Sequence, residues 1–316
     1  MASIVAGLAA PWRVRAQAPA AVRPPLKIVV GFPPGGSADV LAHTLADAMR
    51  PDFSGVAVRN LVGDAGRMAI GAVRDAAPDG ETLLLTPSGP MVVSPLVYRR
   101  LGYDPMRDFT PISLVTRFQF GLLSGPSTAV SSVKEMIVKA KSDPANATYG
   151  SPGAGSITHF LGVMLAEKAG VPLVHVPFQG AEAAQQALRS GRIGYRLDVV
   201  SEVADLHRAG VLRIVAVTGA ARDPQVPDVP TLKEQGVDME VAAFFALYGP
   251  AGLASAKAKQ LHQSVSKALK LAGVAQRLGG LGYEVVGSTG DELSKAQKIE
   301  LARWEKPIRS TGLRID

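Results

Sequence analysis

The chain has 316 residues, of which 47% are hydrophobic, 19% are charged and none is cysteine. It is long enough for two ordinary domains, each with its own core, and the missing thiols exclude disulfides, cysteine nucleophiles and thiolate metal sites. The net charge of +7 falls to +4 beyond residue 26; with no Lys/Arg block and only 5% aromatics, that argues against a nucleic-acid face and suits a weak field for small anions.

At the N-terminus, Ala2 to Ala10 is a short apolar run broken by Pro11, and Ala16-Gln17-Ala18 has the small-x-small form of a signal-peptidase site. A basic segment before the run is missing and Pro19 follows the site, so an Ala/Pro-rich tail is the competing reading. We expect residues 1–26 to be an export signal with a Pro-rich lead-in. No uninterrupted apolar run approaches the ~20 residues that span a bilayer.

From Lys27 onward short β-branched runs alternate with amphipathic stretches, which predicts a mostly parallel α/β protein. Strands are expected at 28–31, 56–60, 82–86 and 112–115, with helices over 39–49 and 70–76. A second set has helices over 133–141, 158–169 and 181–190, and strands at 147–150, 173–176, 193–199 and 214–217. The closing part has a strand at 241–248, helices over 256–271, 275–278 and 291–310, and a strand at 283–286. Turn-rich boundaries at Ser124–Ser127 and between Pro227 and Gly252 make the middle segment an insertion. One domain is then 27–125 plus 250–316 and the other 126–249, with a ligand cleft between them.

Two loops carry the chemistry. Phe32-Pro33-Pro34-Gly35-Gly36-Ser37-Ala38-Asp39 follows the first strand and opens a helix. Prolines fix its approach, glycines let bare backbone close on a ligand, and Ser37 can cap the helix. The free amides of a helix start, with the positive end of its dipole, suit a carboxylate or phosphate. The device returns as Ser151-Pro152-Gly153-Ala154-Gly155-Ser156-Ile157-Thr158-His159. His159, in the first helical turn, can either touch an anion or brace its own loop, and the dipole there lowers its pKa. Asp39 suits a capping role at its helix start. Asp198, at a strand end, can meet an amine or hydroxyl or cap a turn. A Gly-x-Ser-x-Gly elbow, His-Glu-x-x-His and a phosphate-binding Gly-Lys-Ser/Thr are all missing, and scattered acids such as Glu202 form no base–nucleophile set.

The two loops, with their neighbours in order, resemble the Bug family, the periplasmic solute-binding proteins of tripartite tricarboxylate transporters. The likeness runs from Lys27 to the C-terminus. Further landmarks are Ala77-Pro78-Asp79-Gly80-Glu81-Thr82, Tyr103-Asp104-Pro105, His175-Val176-Pro177-Phe178-Gln179-Gly180, Ala216-Val217-Thr218, Pro227-Asp228-Val229-Pro230-Thr231 and Tyr248-Gly249-Pro250-Ala251-Gly252. The resemblance implies a monomeric two-domain Venus-flytrap, not an enzyme, that holds a small carboxylate without metal or cofactor. It would deliver that ligand to a membrane permease or a sensor. A periplasmic α/β enzyme and the effector domain of a regulator are the competing classes. Carried over, the contacts are Phe32, Gly36, Ser37, Ala38 and Asp39 on one side of the cleft. Ser151, Gly153, Ala154, Gly155, Ser156 and His159 face them, and Pro87, Ser88, Gln179, Gly180, Ala181 and Asp198 line the rest. Three departures stand out. An expected arginine is lost from Asn60-Leu61-Val62-Gly63-Asp64-Ala65-Gly66, Gln179 replaces a common lysine, and Phe244 stands where tryptophan is usual. They favour a monocarboxylate, aromatic or with an amino or amide group, over citrate, with Asp198 facing its far end.

Overall fold

The computed structural model describes residues 25–316. The expected export signal lies almost wholly outside them. Among the described residues no helix is long and apolar enough to cross a membrane.

The elements in order are β1 (Pro25–Val30), α1 (Ser37–Met49), β2 (Gly55–Asn60), α2 (Arg67–Arg74), β3 (Thr82–Pro87), α3 (Ser88–Val92), α4 (Ser94–Val97) and β4 (Phe109–Ser124). Next come α5 (Val133–Ser142), β5 (Thr148–Ser151), α6 (Ile157–Ala169), β6 (Val174–Pro177), α7 (Ala181–Arg189), β7 (Tyr195–Val199), α8 (Val200–Arg208) and β8 (Arg213–Val217). β9 (Ala242–Pro250), α9 (Ser255–Leu269), α10 (Ala272–Gly280), β10 (Glu284–Val285) and α11 (Gly290–Ser310) close the chain.

The strands form one sheet in the order β2-β1-β3-β9-β4-β7-β5-β6, with β8 and β10 also paired to β4. Its two wings, β2-β1-β3 and β6-β5-β7, are parallel. Pairing in the centre is antiparallel, because β4 and β9 run back between the wings. The parallel expectation therefore describes the wings, and the whole sheet is mixed.

β4 joins the two halves. Phe109 to Gln119 pairs with β9, while Phe120 to Ser124 pairs with β7 and β8. Far longer than the expected 112–115, β4 is interrupted by Pro111 and by irregular register near Ser113 and Thr116, which break its alternation. β9 also pairs with β3, through Phe245 to Tyr248. At the crossing Thr218 clasps both passing segments. Its Oγ1 accepts from Phe120 N and donates to Val241 O (3.0 and 2.7 Å), while its own N–H donates to Phe120 O (2.9 Å).

The central strands β3 and β9 are buried along almost their whole length. Ile28, Val30, Leu83 and Leu85 are buried with Leu41, Leu45 and Met49 of α1 in a cluster that continues through Phe118 and Phe245 to Tyr149 and Leu161. Each such side chain contributes roughly 1.5–3 kcal/mol of burial. A second cluster, with Leu123, Ile193, Val200, Val203 and Ile214, includes residues of α7 and α8. The two halves also touch through α11 and α6, where Lys306 is ion-paired with Glu167.

Candidate functional site

The expected contacts leave the C-terminal ends of the two parallel wings. In the first half Phe32 to Asp39 follows β1, while Pro87 ends β3, its neighbour, and Ser88 opens α3. In the second half Ser151 ends β5, Gln179 follows β6, and Asp198 lies near the end of β7. Open α/β sheets bind their ligands at such ends.

Backbone held by its own side chains shapes the first loop. Gly36, not Ser37, is the N-cap of α1, in extended backbone without a side-chain cap. Ser37 is the first helical residue, and its hydroxyl donates to Glu202 Oε1 on α8 (3.0 Å), in the other half of the sheet. Asp39 is buried and turned into the loop, where its carboxylate accepts from Gly35 N (2.9 Å) and Asn60 Nδ2 (2.8 Å). Burial pushes that carboxyl up, but these two donors and nearby His43 hold it below its ordinary value. Asn60 also donates to Phe32 O (3.0 Å), tying the end of β2 to the loop. Ala38 is buried beneath the first turn. The neighbouring turn packs tightly, since a Cβ on Gly31 would lie 2.7 Å from Gly66 Cα. There Asp64 and Ala65 adopt positive φ (50° and 53°), and Arg67 bonds to Asp64 O while lying over the Tyr98 ring.

The second loop is braced more heavily. Ser151 Oγ donates to Gly153 O (2.8 Å) and pairs with His175 Nε2 (2.7 Å). Ser156 is the N-cap of α6; its hydroxyl donates to Gly153 O and accepts from His159 N. His159 Nδ1 accepts from Gly155 N (3.2 Å), so the ring braces its own loop and leaves Nε2 as the protonated nitrogen. Burial pushes the His159 and His175 imidazoles down to about 4, and both are neutral at physiological pH. Gly155 has φ +84°, and a Cβ there would meet Ile315 and Val97 of the first half at 2.7 and 3.2 Å. Ala154 is exposed at the loop's tip. Gly180 N donates to Pro152 O (3.0 Å), which ties the Gln179-Gly180-Ala181 turn to this loop; Gln179 and Ala181 are exposed. Pro87 is half-buried and Ser88 fully buried at the start of α3.

Asp198 stands apart from its expected role. Its carboxylate meets Arg196 Nη2 at 2.6 Å, with Arg196 1% exposed and Asp198 9%. Burial raises the Asp198 carboxyl while Arg196 opposes the rise. Arg196 Nε and Nη1 are buried without a hydrogen-bond partner. The charge on Asp198 is thus matched inside the protein. The acid that reaches the first loop is Glu202, on a helix absent from the expected elements. Val200, Val203 and Ala204 are buried at helical spacing, and that i, i+3, i+4 pattern is the signal that marks α8 in the sequence.

A mixed sheet shared by two halves, with ligand-sized loops at the strand ends of each, is the architecture of periplasmic binding proteins. The model of the tripartite tricarboxylate transporter family receptor matches residues 41–313, and the chain belongs to that family of periplasmic solute-binding proteins. The resemblance drawn from the ordered motifs is borne out. BugT of Bordetella pertussis is 28% identical over 294 residues, covering 92% of this chain and 90% of BugT. The R. palustris protein Rpa4515, solved with adipate, superposes with a TM-score of 0.82 at 30% identity, over 92% of this chain and 98% of that one. MatC from Rhodopseudomonas palustris, solved with malate, gives 0.78 at 29% identity, over 90% and 98%.

Proposed function

We propose that this chain is an extracytoplasmic receptor that captures one small carboxylate between the halves of its sheet, without chemical turnover, for membrane permease subunits or a sensor. The observation that carries this reading is that each of the two loop–helix starts touches the opposite half of the sheet. Ser37 of the first loop reaches α8 of the second half, and Gly155 of the second loop packs on Val97 and Ile315 of the first. Unpaired amides at the starts of α1 and α6 suit a carboxylate from both sides. Adipate and malate, bound in the two R. palustris proteins, are small carboxylates.

In this reading the lobes are residues 25–119 with 242–316, and 120–241, hinged where Thr218 binds Phe120 and Val241. Gly36, Ser37, Ala38 and the Gly153–Ser156 turn border the carboxylate, and the amides of Ser37, Ala38 and Ala154 hold it, since those of Gly153, Gly155 and Ser156 are spent within the turn. Asp39 and His159 shape the loops from behind, and Gln179 borders the cleft. Calorimetry against mono-, di- and tricarboxylates, with the matching amides as controls, tests the reading. We expect saturable one-to-one binding of at least one acid and none of its amide; binding of amides with no acid bound would refute it.

A further inference from the structure

Among the acids near the first loop, two are already satisfied. Asp39 is spent on Gly35 and Asn60, and Asp198 on Arg196. Glu202 is different. Among the described residues its carboxylate forms no ion pair, and its hydrogen-bond partner is the Ser37 hydroxyl at 3.0 Å. It is close enough to act electrostatically on both Asp198 and the Tyr283 phenol. Beside it, the enclosed Ser201 Oγ neighbours the Tyr283 phenol. A negative charge therefore stands against the helix start at which, on the reading above, the ligand's carboxylate is held.

The Ser37 hydroxyl has one hydrogen to give. A ligand carboxylate at this helix start competes with Glu202 for it, and the two like charges repel unless a cation lies between them. An ammonium group has three donors and a positive charge, enough to pair with the exposed Glu202 carboxylate and relieve that repulsion. Arg196 cannot serve, because its charge is already matched by Asp198.

We propose that Glu202 is the residue that selects the ligand by charge: it receives the ammonium of an amino-bearing carboxylate and disfavours ligands without one. This rests on the carboxylate-receptor reading and names the substrate class within it. The role that the sequence suggested for Asp198 passes to Glu202, in the first turn of α8.

Calorimetry on wild type and Glu202→Gln, with succinate against aspartate, glutarate against glutamate and butyrate against 4-aminobutyrate, tests the inference. In wild type the amino member of each pair that binds should be tighter by about tenfold or more, and Glu202→Gln should remove most of that ratio. Added salt should shrink the wild-type ratio, since Glu202 is exposed. Tighter binding of the plain acids by wild type, or an unchanged ratio in Glu202→Gln, would overturn it. Equal weakening of both members would make Glu202 a closing contact alone and overturn it too. Failure of every acid to bind either protein would instead refute the carboxylate reading itself.

Discussion

The His159 and His175 rings stack face to face, with centroids 3.8 Å apart and planes 16° from parallel, beneath the second loop. One ring fixes Gly155 and the other Ser151, so a single pair of side chains sets both ends of the turn that faces the first half. Two imidazoles in such contact are compatible only when at least one is uncharged, and burial keeps both neutral.

That stack makes stability depend on pH. Both histidines have folded values near 4, below the unfolded 6.5, so between those limits the unfolded chain binds more protons. Their contribution is present above about pH 6.5 and is lost as pH falls toward 4, on the order of 2–3 kcal/mol for each ring. Asp198, whose carboxyl burial raises, works in the opposite sense over part of that range and offsets some of the loss. His175→Gln keeps a donor toward Ser151 without the titration. Thermal melts from pH 7.5 to 4.5 should show a clearly shallower fall for this variant than for wild type; parallel curves would mean that the stack does not govern acid stability.

Gly36 tests the first loop. Its backbone is extended (φ −77°, ψ 170°), and an added Cβ would meet only Pro33 O, at 3.4 Å. Gly36→Val should therefore fold, melting within about 3 °C of wild type. Its branched side chain covers the amides at the start of α1. Charge-assisted bonds to an anion are worth ~1.5–3 kcal/mol each, so carboxylate affinity should fall roughly tenfold or more in calorimetry. A folded variant with unchanged affinity would remove this loop from the site.

Arg196 tests the buried ion pair. Arg196→Met leaves Asp198 without its cation inside the protein, which should cost about 3–5 kcal/mol in urea unfolding. The double variant Arg196→Met/Asp198→Leu removes both charges and should recover most of that loss. A single variant costing under about 1 kcal/mol, or a double variant no better than the single, would show that the pair is not electrostatically coupled.

Much of this was legible in the residues. The parallel wings announce themselves through Ile28–Val30, Leu83–Leu85 and the Pro/Gly loops behind them, because local pattern and tertiary burial agree there. β4 was visible only in its middle, since Pro111 and Gly121 break the periodicity of a strand defined by partners far away in sequence. Helix α8 begins directly where β7 ends, with no turn residue between Val199 and Val200 to separate them. For the site, the loops could be read but the fate of each charge could not. Whether Asp198 faces a ligand or Arg196, and whether His159 turns to the cleft or to Gly155, depends on side-chain direction, which spacing alone does not determine.

A receptor of this kind holds one small carboxylate and releases it unchanged. Native mass spectrometry of the purified chain, mixed with an equimolar panel of mono-, di- and tricarboxylates and their neutral amides, measures this most directly. We expect a single one-to-one adduct whose mass is that of an acid, with the same acid recovered unaltered on denaturation. Adducts formed only with neutral amides, or an acid converted to product beyond one equivalent of protein, would contradict it.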